Sequence, residues 1–153
     1  MRGYFGIGIY RTKTEINVGT LWRSAHNFGA GFIFTIGKRY RQQASDTTKA
    51  WRSTPLHHYE SFEEFNRHIP YDCRVVAIEQ SERSVNVSAF RHPERAIYLL
   101  GAEDHGLPDE IQEKCKLVIH IDTPMCLNVA TAGAIIMYDR SIKVNSYILD
   151  GEK

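Results

Sequence analysis

The run Val118-Ile-His-Ile-Asp-Thr-Pro-Met-Cys-Leu-Asn-Val-Ala-Thr-Ala-Gly-Ala-Ile-Ile-Met-Tyr-Asp-Arg140 constrains the fold more than any other part of the chain. It reads as a buried strand, a tight turn at Pro124 and a helix starting near Asn128. The helix is apolar or small on almost every face as far as Tyr138, so it belongs inside a core. Asn128 suits the cap of a helix whose N-terminus carries partial positive charge. A strand that feeds a polar turn into such a helix is where α/β domains place ligands. The same pattern also fits the last strand–helix unit of an ordinary core.

Upstream, Phe5–Tyr10 reads as a strand and Asn17–Gly29 as a helix, with Asn17 at its N-cap and Gly29 as its stop. Val18, Leu21, Trp22, Ala25 and Phe28 fall at helical spacing on one face. Gly31–Ile36 is a second strand, which makes β-α-β and requires a parallel pair. Lys38–Arg52 has little hydrophobic period and reads as a long functional loop. Ser61 and Glu64 have capping-box spacing. Arg74–Glu79, Arg95–Leu100 and Leu117–Ile121 are three further strands, with a short helix over Asp109–Lys116. The alternation predicts a single α/β domain, mainly a parallel sheet with helices on both faces.

Charge divides the chain. Residues 1–52 hold nine Lys/Arg and two Asp/Glu, whereas residues 53–153 hold ten and sixteen. A polyanion such as RNA would meet the basic first third, at Lys38, Arg39, Arg41, Lys49 and Arg52, with Tyr40 or Trp51 available to stack on a base. A merely solvated basic loop is the plainer reading. No apolar run is long enough to span a bilayer, and the N-terminus lacks a signal-peptide pattern. Cys73, Cys115 and Cys126 have no CxxC spacing and suggest free thiols in a reducing cytoplasm. No stretch at either end reads as an appended RNA-binding domain.

Several chemistries find no support. Gly6-Ile7-Gly8 lacks the third glycine of a dinucleotide fingerprint. HExxH, P-loop and GxSxG motifs are missing from the sequence. His57-His58 is the one adjacent histidine pair, and neighbouring residues share no helix face, so no metal is expected. What remains is three polar turns after strands: Asn17 with Arg23, Gly101 with Glu103 and Gly106, and Cys126 with Asn128. Each alone reads as a cap or turn.

Together and in order they resemble the three motifs of the SpoU/TrmH branch of the SPOUT RNA methyltransferases. Asn17-Val-Gly19, Arg23-Ser-Ala25 and Phe28-Gly29 match the first motif. Leu100-Gly-Ala-Glu-Asp-His-Gly-Leu107 matches the second. Pro124-Met125 with Cys126-Leu-Asn-Val129 matches the third. The resemblance covers about residues 5 to 140.

The resemblance implies a deep C-terminal trefoil knot, otherwise rare among folds. It implies S-adenosyl-L-methionine bound there, mainly through backbone groups, with Gly101, Ile121, Cys126, Leu127 and Ile78 lining the pocket. It implies methyl transfer to a ribose 2′-hydroxyl of tRNA or rRNA. Arg23 matches the catalytic arginine, and Asn17, Glu103 and Asn128 would position it and the loops. It also implies a homodimer in which Arg23 of one chain serves the pocket of the other. Leu21, Trp22 and Phe28, with the apolar 127–140 helix, supply surplus apolar surface for such an interface. Two departures stand out. Cys126 and Ala130 replace serines, and one residue separates Pro124 from Cys126 where relatives carry several. A non-catalytic knotted RNA-binding module is the alternative reading.

Overall fold

The computed structural model describes residues 3–41 and 53–151, with side chains as far as residue 145. In chain order the elements are β1 (Tyr4–Tyr10), α1 (Glu15–Asn27), β2 (Phe32–Ile36), β3 (Leu56–Tyr59), α2 (Phe62–Arg67), β4 (Arg74–Ile78), β5 (Val85–Asn86), a 3-10 turn (Val87–Ala89), β6 (Arg95–Leu100), α3 (Asp109–Lys114), β7 (Leu117–His120) and α4 (Val129–Gly151). The strands form one sheet in the order β3-β2-β1-β6-β4-β7-β5, with every pairing parallel. All C-terminal strand ends therefore share one edge, where loops can converge on a ligand.

Period-two alternation divides the core into two layers. Phe5, Ile7, Ile9, Tyr98, Leu100 and Ile78 face α1 and α4. Phe32, Phe34, Ile97, Leu99 and Val118 face α2 and α3, packing on Phe62, Phe65 and Ile111. Gly6 and Gly8 belong to this second layer's packing, not to a nucleotide loop. A Cβ on Gly8 would lie 2.3 Å from the Phe34 carbonyl oxygen, and one on Gly6 would lie 2.5 Å from the Phe32 ring. Bare backbone at both positions lets the two phenylalanine rings lie across β1.

Five strands were expected, and the sheet has seven. The additions, Leu56–Tyr59 and Val85–Asn86, are the two edges. An edge strand pairs on one side and needs no continuous apolar run, so His57, His58 and Asn86 gave no strand signal. The expected N-cap at Asn17 is also corrected. α1 starts at Glu15 after Thr14, and Asn17 sits in its first turn with a side chain committed elsewhere. The stop at Gly29 holds, with φ of +77°. The Ser61 hydroxyl accepts the Glu64 N–H at 3.1 Å, as its spacing predicts.

The expectation of surplus apolar surface on α1 fails in part. Leu21 is buried where α4 packs over α1, and Trp22 is buried against Tyr40 with its indole N–H donating to the Thr54 carbonyl at 2.7 Å. Gly133 permits that approach, since a Cβ there would lie 2.5 Å from Leu21 Cδ1. The apolar groups left exposed are Ile16 on α1 and Ile135, Tyr138 and Ile142 on α4.

A buried polar chain fastens α4 to the segment before β6. Arg140 is 3% exposed and donates to the carbonyls of Pro93 and Glu94 at 2.6 and 2.7 Å. Burial pushes the His92 pKa below its ordinary 6.5, outweighing the nearby Asp139 carboxylate. A neutral His92 then donates through Nε2 to Asp139 at 2.7 Å and accepts the Tyr98 hydroxyl at Nδ1, also at 2.7 Å. Every buried member of this chain is hydrogen-bonded, as burial demands.

Candidate functional site

The loops that follow β4, β6 and β7 enclose a cavity of about 540 Å³ at the C-terminal edge of the sheet. Ile78, Leu100, Ile121, Leu127 and Val129 supply its apolar wall. Glu79, Glu103, Asp104 and Asp122 place carboxyl groups around it. The five residues expected to line a pocket, Ile78, Gly101, Ile121, Cys126 and Leu127, all do so.

Backbone packing sets the shape of the middle wall. The chain turns back at residues 102–106, where the Gly106 N–H donates to the Ala102 carbonyl at 3.0 Å. Gly106 takes φ of +61°, a conformation that suits glycine. A Cβ on Gly101 would lie 2.3 Å from the Gly106 carbonyl carbon and 2.5 Å from the Leu107 nitrogen. Two stretches of main chain therefore touch where Gly101 stands, and no side chain fits between them.

The three motifs meet through side chains. Asn128 Nδ2 donates to Asn17 Oδ1 at 2.9 Å, and Asn17 Nδ2 donates to Glu103 Oε1 at 2.6 Å. Thr12 Oγ1 donates to the same Glu103 oxygen at 2.9 Å. The backbone N–H of Lys13 donates to Glu103 Oε2 at 3.3 Å. Asn128 Oδ1 accepts the N–H groups of Ala130 and Thr131 at 3.0 and 3.1 Å, so Asn128 caps α4 as its position suggested. One carboxylate and two amides thus tie the start of α1, the loop after β6 and the N-terminus of α4.

Burial alone would raise the Glu103 pKa. The hydrogen bonds from Asn17, backbone N–H groups and Thr12 outweigh it, and the pKa falls below the ordinary 4.5. A depressed folded value means the network's stabilisation is complete above the ordinary carboxylate range. It is lost as pH falls through the lower, folded value. An NMR titration of the Glu103 carboxyl should show that depressed midpoint, and Asn17→Ala should move it upward. A midpoint unchanged by Asn17→Ala would remove this network from the account.

Arg23 lies further along α1. It is exposed, does not line the cavity of its own chain, and makes no hydrogen bond or ion pair among the described residues. Lys38, Arg39 and Arg41 are exposed after β2. Lys38 Nζ donates to the Lys13 carbonyl at 3.0 Å, Arg39 pairs with Glu60 at 3.2 Å, and the Arg41 N–H donates to Glu15 at 3.3 Å. Tyr40 meets Trp22 edge to face, with ring centroids 5.9 Å apart. Lys49, Trp51 and Arg52 lie outside the described residues. Lys13 is ion-paired with Asp104, which joins the basic segment to the cavity rim. Among the described residues no group of three or more His, Cys, Asp or Glu side chains is placed to hold a metal ion. No helix among them is long and apolar enough to cross a membrane.

Sequence reading missed Glu79, His120 and Asp122 on the cavity wall, and Thr12 behind Glu103. The signal for the first three was position. Each lies at or just beyond the C-terminal end of a parallel strand, the usual ligand edge of such sheets. Thr12 carried no signal, because its partner lies 91 residues away.

Solved structures share this architecture. One, solved in work on the 2-OH methylation of C/U34 on tRNA, superposes with a TM-score of 0.80 at 23% identity, covering 94% of this chain and 98% of that one. The SpoU methyltransferase AviRb from Streptomyces viridochromogenes, in complex with the cofactor AdoMet, superposes with a TM-score of 0.83 at 21% identity, over 95% of this chain and 60% of that one. In sequence, the chain is 25% identical to the mouse (Mus musculus) tRNA (guanosine(18)-2′-O)-methyltransferase TARBP1, over 80% of this chain but 8% of that much longer protein. The model of the SpoU rRNA Methylase family matches residues 5–138, the span that carries all three motifs and every wall of the cavity, and the chain belongs to that family.

Proposed function

We propose that the protein transfers a methyl group from S-adenosyl-L-methionine to a ribose 2′-hydroxyl of tRNA or rRNA. The observation that carries this reading is the Asn128–Asn17–Glu103 chain of hydrogen bonds at the rim of the cavity. It joins the three motifs of a methylase family at one place. The same intact network speaks against a non-catalytic RNA-binding module.

The residues present fit the cofactor. A cavity of about 540 Å³ lies within the range of about 300–1,000 Å³ usual for small-molecule sites. Its apolar side chains suit an adenine ring, and the tight Gly101–Gly106 backbone keeps side chains out of the way. The surrounding carboxyl groups of Glu79, Glu103, Asp104 and Asp122 favour a ligand that carries a sulfonium and an ammonium. Ile78, Gly101, Ile121, Cys126 and Leu127 would hold it. When bound, S-adenosyl-L-methionine supplies an electrophilic methyl whose leaving group needs little acid help.

The work left to the protein is positioning and proton removal. The ribose 2′-oxygen must lose its proton as it gains the methyl. A guanidinium holds its own protons too firmly to act as base. Arg23 instead binds the phosphate beside the target ribose through two donors, orients the hydroxyl, and leaves a phosphate oxygen to take the proton. Asn17, Glu103 and Asn128 hold α1 and the loops in register for that step. Geometry supplies most of the acceleration.

Three further features complete the proposal. The chain between β6 and α4 forms the trefoil knot of the family. The active unit is a homodimer, with Ile135, Tyr138 and Ile142 covered at its interface and Arg23 of one subunit serving the cavity of the other. The exposure of those three side chains, and the position of Arg23 outside the lining of its own cavity, support this arrangement. The working compartment is the cytoplasm, where tRNA and rRNA are at hand.

Lys38, Arg39 and Arg41, with Lys49 and Arg52, bind the RNA backbone. Replacing all five with alanine should weaken binding and reduce the slope of log affinity against log salt by roughly 0.7 per lost phosphate contact. An unchanged slope would leave the segment as a solvated loop. The substrate is identified by mapping 2′-O-methyl positions across total RNA with and without the protein. Loss of one or a few sites is expected, and identical maps would count against the proposal.

A further inference from the structure

The carboxylate of Glu79 stands at the end of β4, outside the three motifs, and bonds the backbone of the cavity wall directly. Its Oε2 accepts the Leu107 N–H at 2.8 Å, and its Oε1 accepts the Gln80 N–H at 3.0 Å. Its own backbone N–H donates to the Ile119 carbonyl of β7 at 2.9 Å. The fit against the loop after β6 is close. A Cβ on Gly106 would lie 2.1 Å from Glu79 Oε2. Glu79 also lines the cavity itself. One residue therefore touches all three walls: the end of β4, the 101–107 turn and the end of β7.

We propose that Glu79 is a positioning residue that latches the Gly101–Leu107 turn and so sets the width of the cofactor cavity. The chemistry is specific to a carboxylate. Two backbone N–H donors point at its two oxygens, and both oxygens must accept. Glutamine keeps one acceptor but turns an NH₂ group toward the other donor. Alanine leaves both donors without this partner. A carboxylate on the wall also adds negative charge facing a cationic ligand, so latch and charge must be separated by experiment.

The inference rests on the proposed cofactor, and two measurements keep the two ideas apart. The first needs no cofactor. Amide hydrogen exchange at Leu107 in the ligand-free protein should be slow in the wild type, faster in Glu79→Gln and fastest in Glu79→Ala. The second is affinity by calorimetry for S-adenosylmethionine and for S-adenosylhomocysteine, whose sulfur is neutral. A latch predicts that Glu79→Gln weakens both ligands by a similar factor, roughly tenfold for one charge-assisted hydrogen bond. RNA affinity should stay unchanged, and in turnover the KM for S-adenosylmethionine should rise more than kcat falls. Unchanged Leu107 exchange would overturn the latch. A loss confined to S-adenosylmethionine would also overturn it, in favour of a purely electrostatic role. Wild-type protein that binds neither ligand would overturn the proposed activity, while the exchange measurement would still decide the latch. Glu79→Gln preserves size and one acceptor, so it tests the proposal even where Glu79→Ala does not fold.

Discussion

Arg23→Ala is expected to lower methyl transfer by about a hundredfold to a thousandfold, the range found when one preorganised donor is removed from a reacting centre. Cofactor affinity should hardly change, because Arg23 does not line the cavity of its own chain. Its exposed position on α1 predicts an unaltered fold. Arg23→Lys should be almost as poor, since a point charge cannot supply two parallel donors to a phosphate. Rate and calorimetric affinity measured on the same preparations separate these effects. The shared-site arrangement adds a sharper result. Arg23→Ala and an inactive cavity variant, refolded together, should recover part of the activity, because mixed dimers contain one intact site. No recovery in proven mixed dimers would reject the arrangement, and near-normal turnover by Arg23→Ala would reject the mechanism.

Gly101→Val is expected to eliminate measurable cofactor binding. Even a single Cβ at this position would lie 2.3 Å from the Gly106 carbonyl carbon. That contact is backbone against backbone, with no flexible side-chain end to yield. The turn must move, and moving it strains the Glu79–Leu107 hydrogen bond as well. Gly101→Ala should show a smaller loss in the same direction, since overpacking by one carbon commonly costs about 1–3 kcal/mol. Equilibrium binding of S-adenosylmethionine to each variant reads the effect directly. Binding within twofold of wild type in Gly101→Val would place the cofactor elsewhere.

Much of this architecture was legible in the residues, and the failures follow a physical pattern. Phe5–Tyr10, Arg95–Leu100 and Leu117–His120 are interior strands, buried on both faces, so they read as continuous apolar runs. Leu56–Tyr59 and Val85–Asn86 are edges with little to bury, and they passed unnoticed. The pocket residues were legible through their motifs. Glu79 was not, because its role depends on a turn 28 residues away that only folding brings to it. Asn17 was misread as a cap because local propensity favours that role. Its side chain instead bonds Glu103 and Asn128, 86 and 111 residues away. Trp22 looked like interface material because one amphipathic helix cannot reveal which neighbour will cover it. Tyr40 and the Thr54 carbonyl meet it within the same chain.

Three sequence motifs converge on one cavity, and methylation of ribose is the chemistry proposed for it. The direct measurement incubates the protein with methyl-labelled S-adenosylmethionine and total tRNA and rRNA. The RNA is then digested to nucleosides, which are separated by chromatography. The account predicts label in 2′-O-methylnucleosides with the wild-type chain and about a hundredfold to a thousandfold slower labelling with Arg23→Ala. Label on a base, or no transfer to any RNA by protein that binds the cofactor, would contradict it.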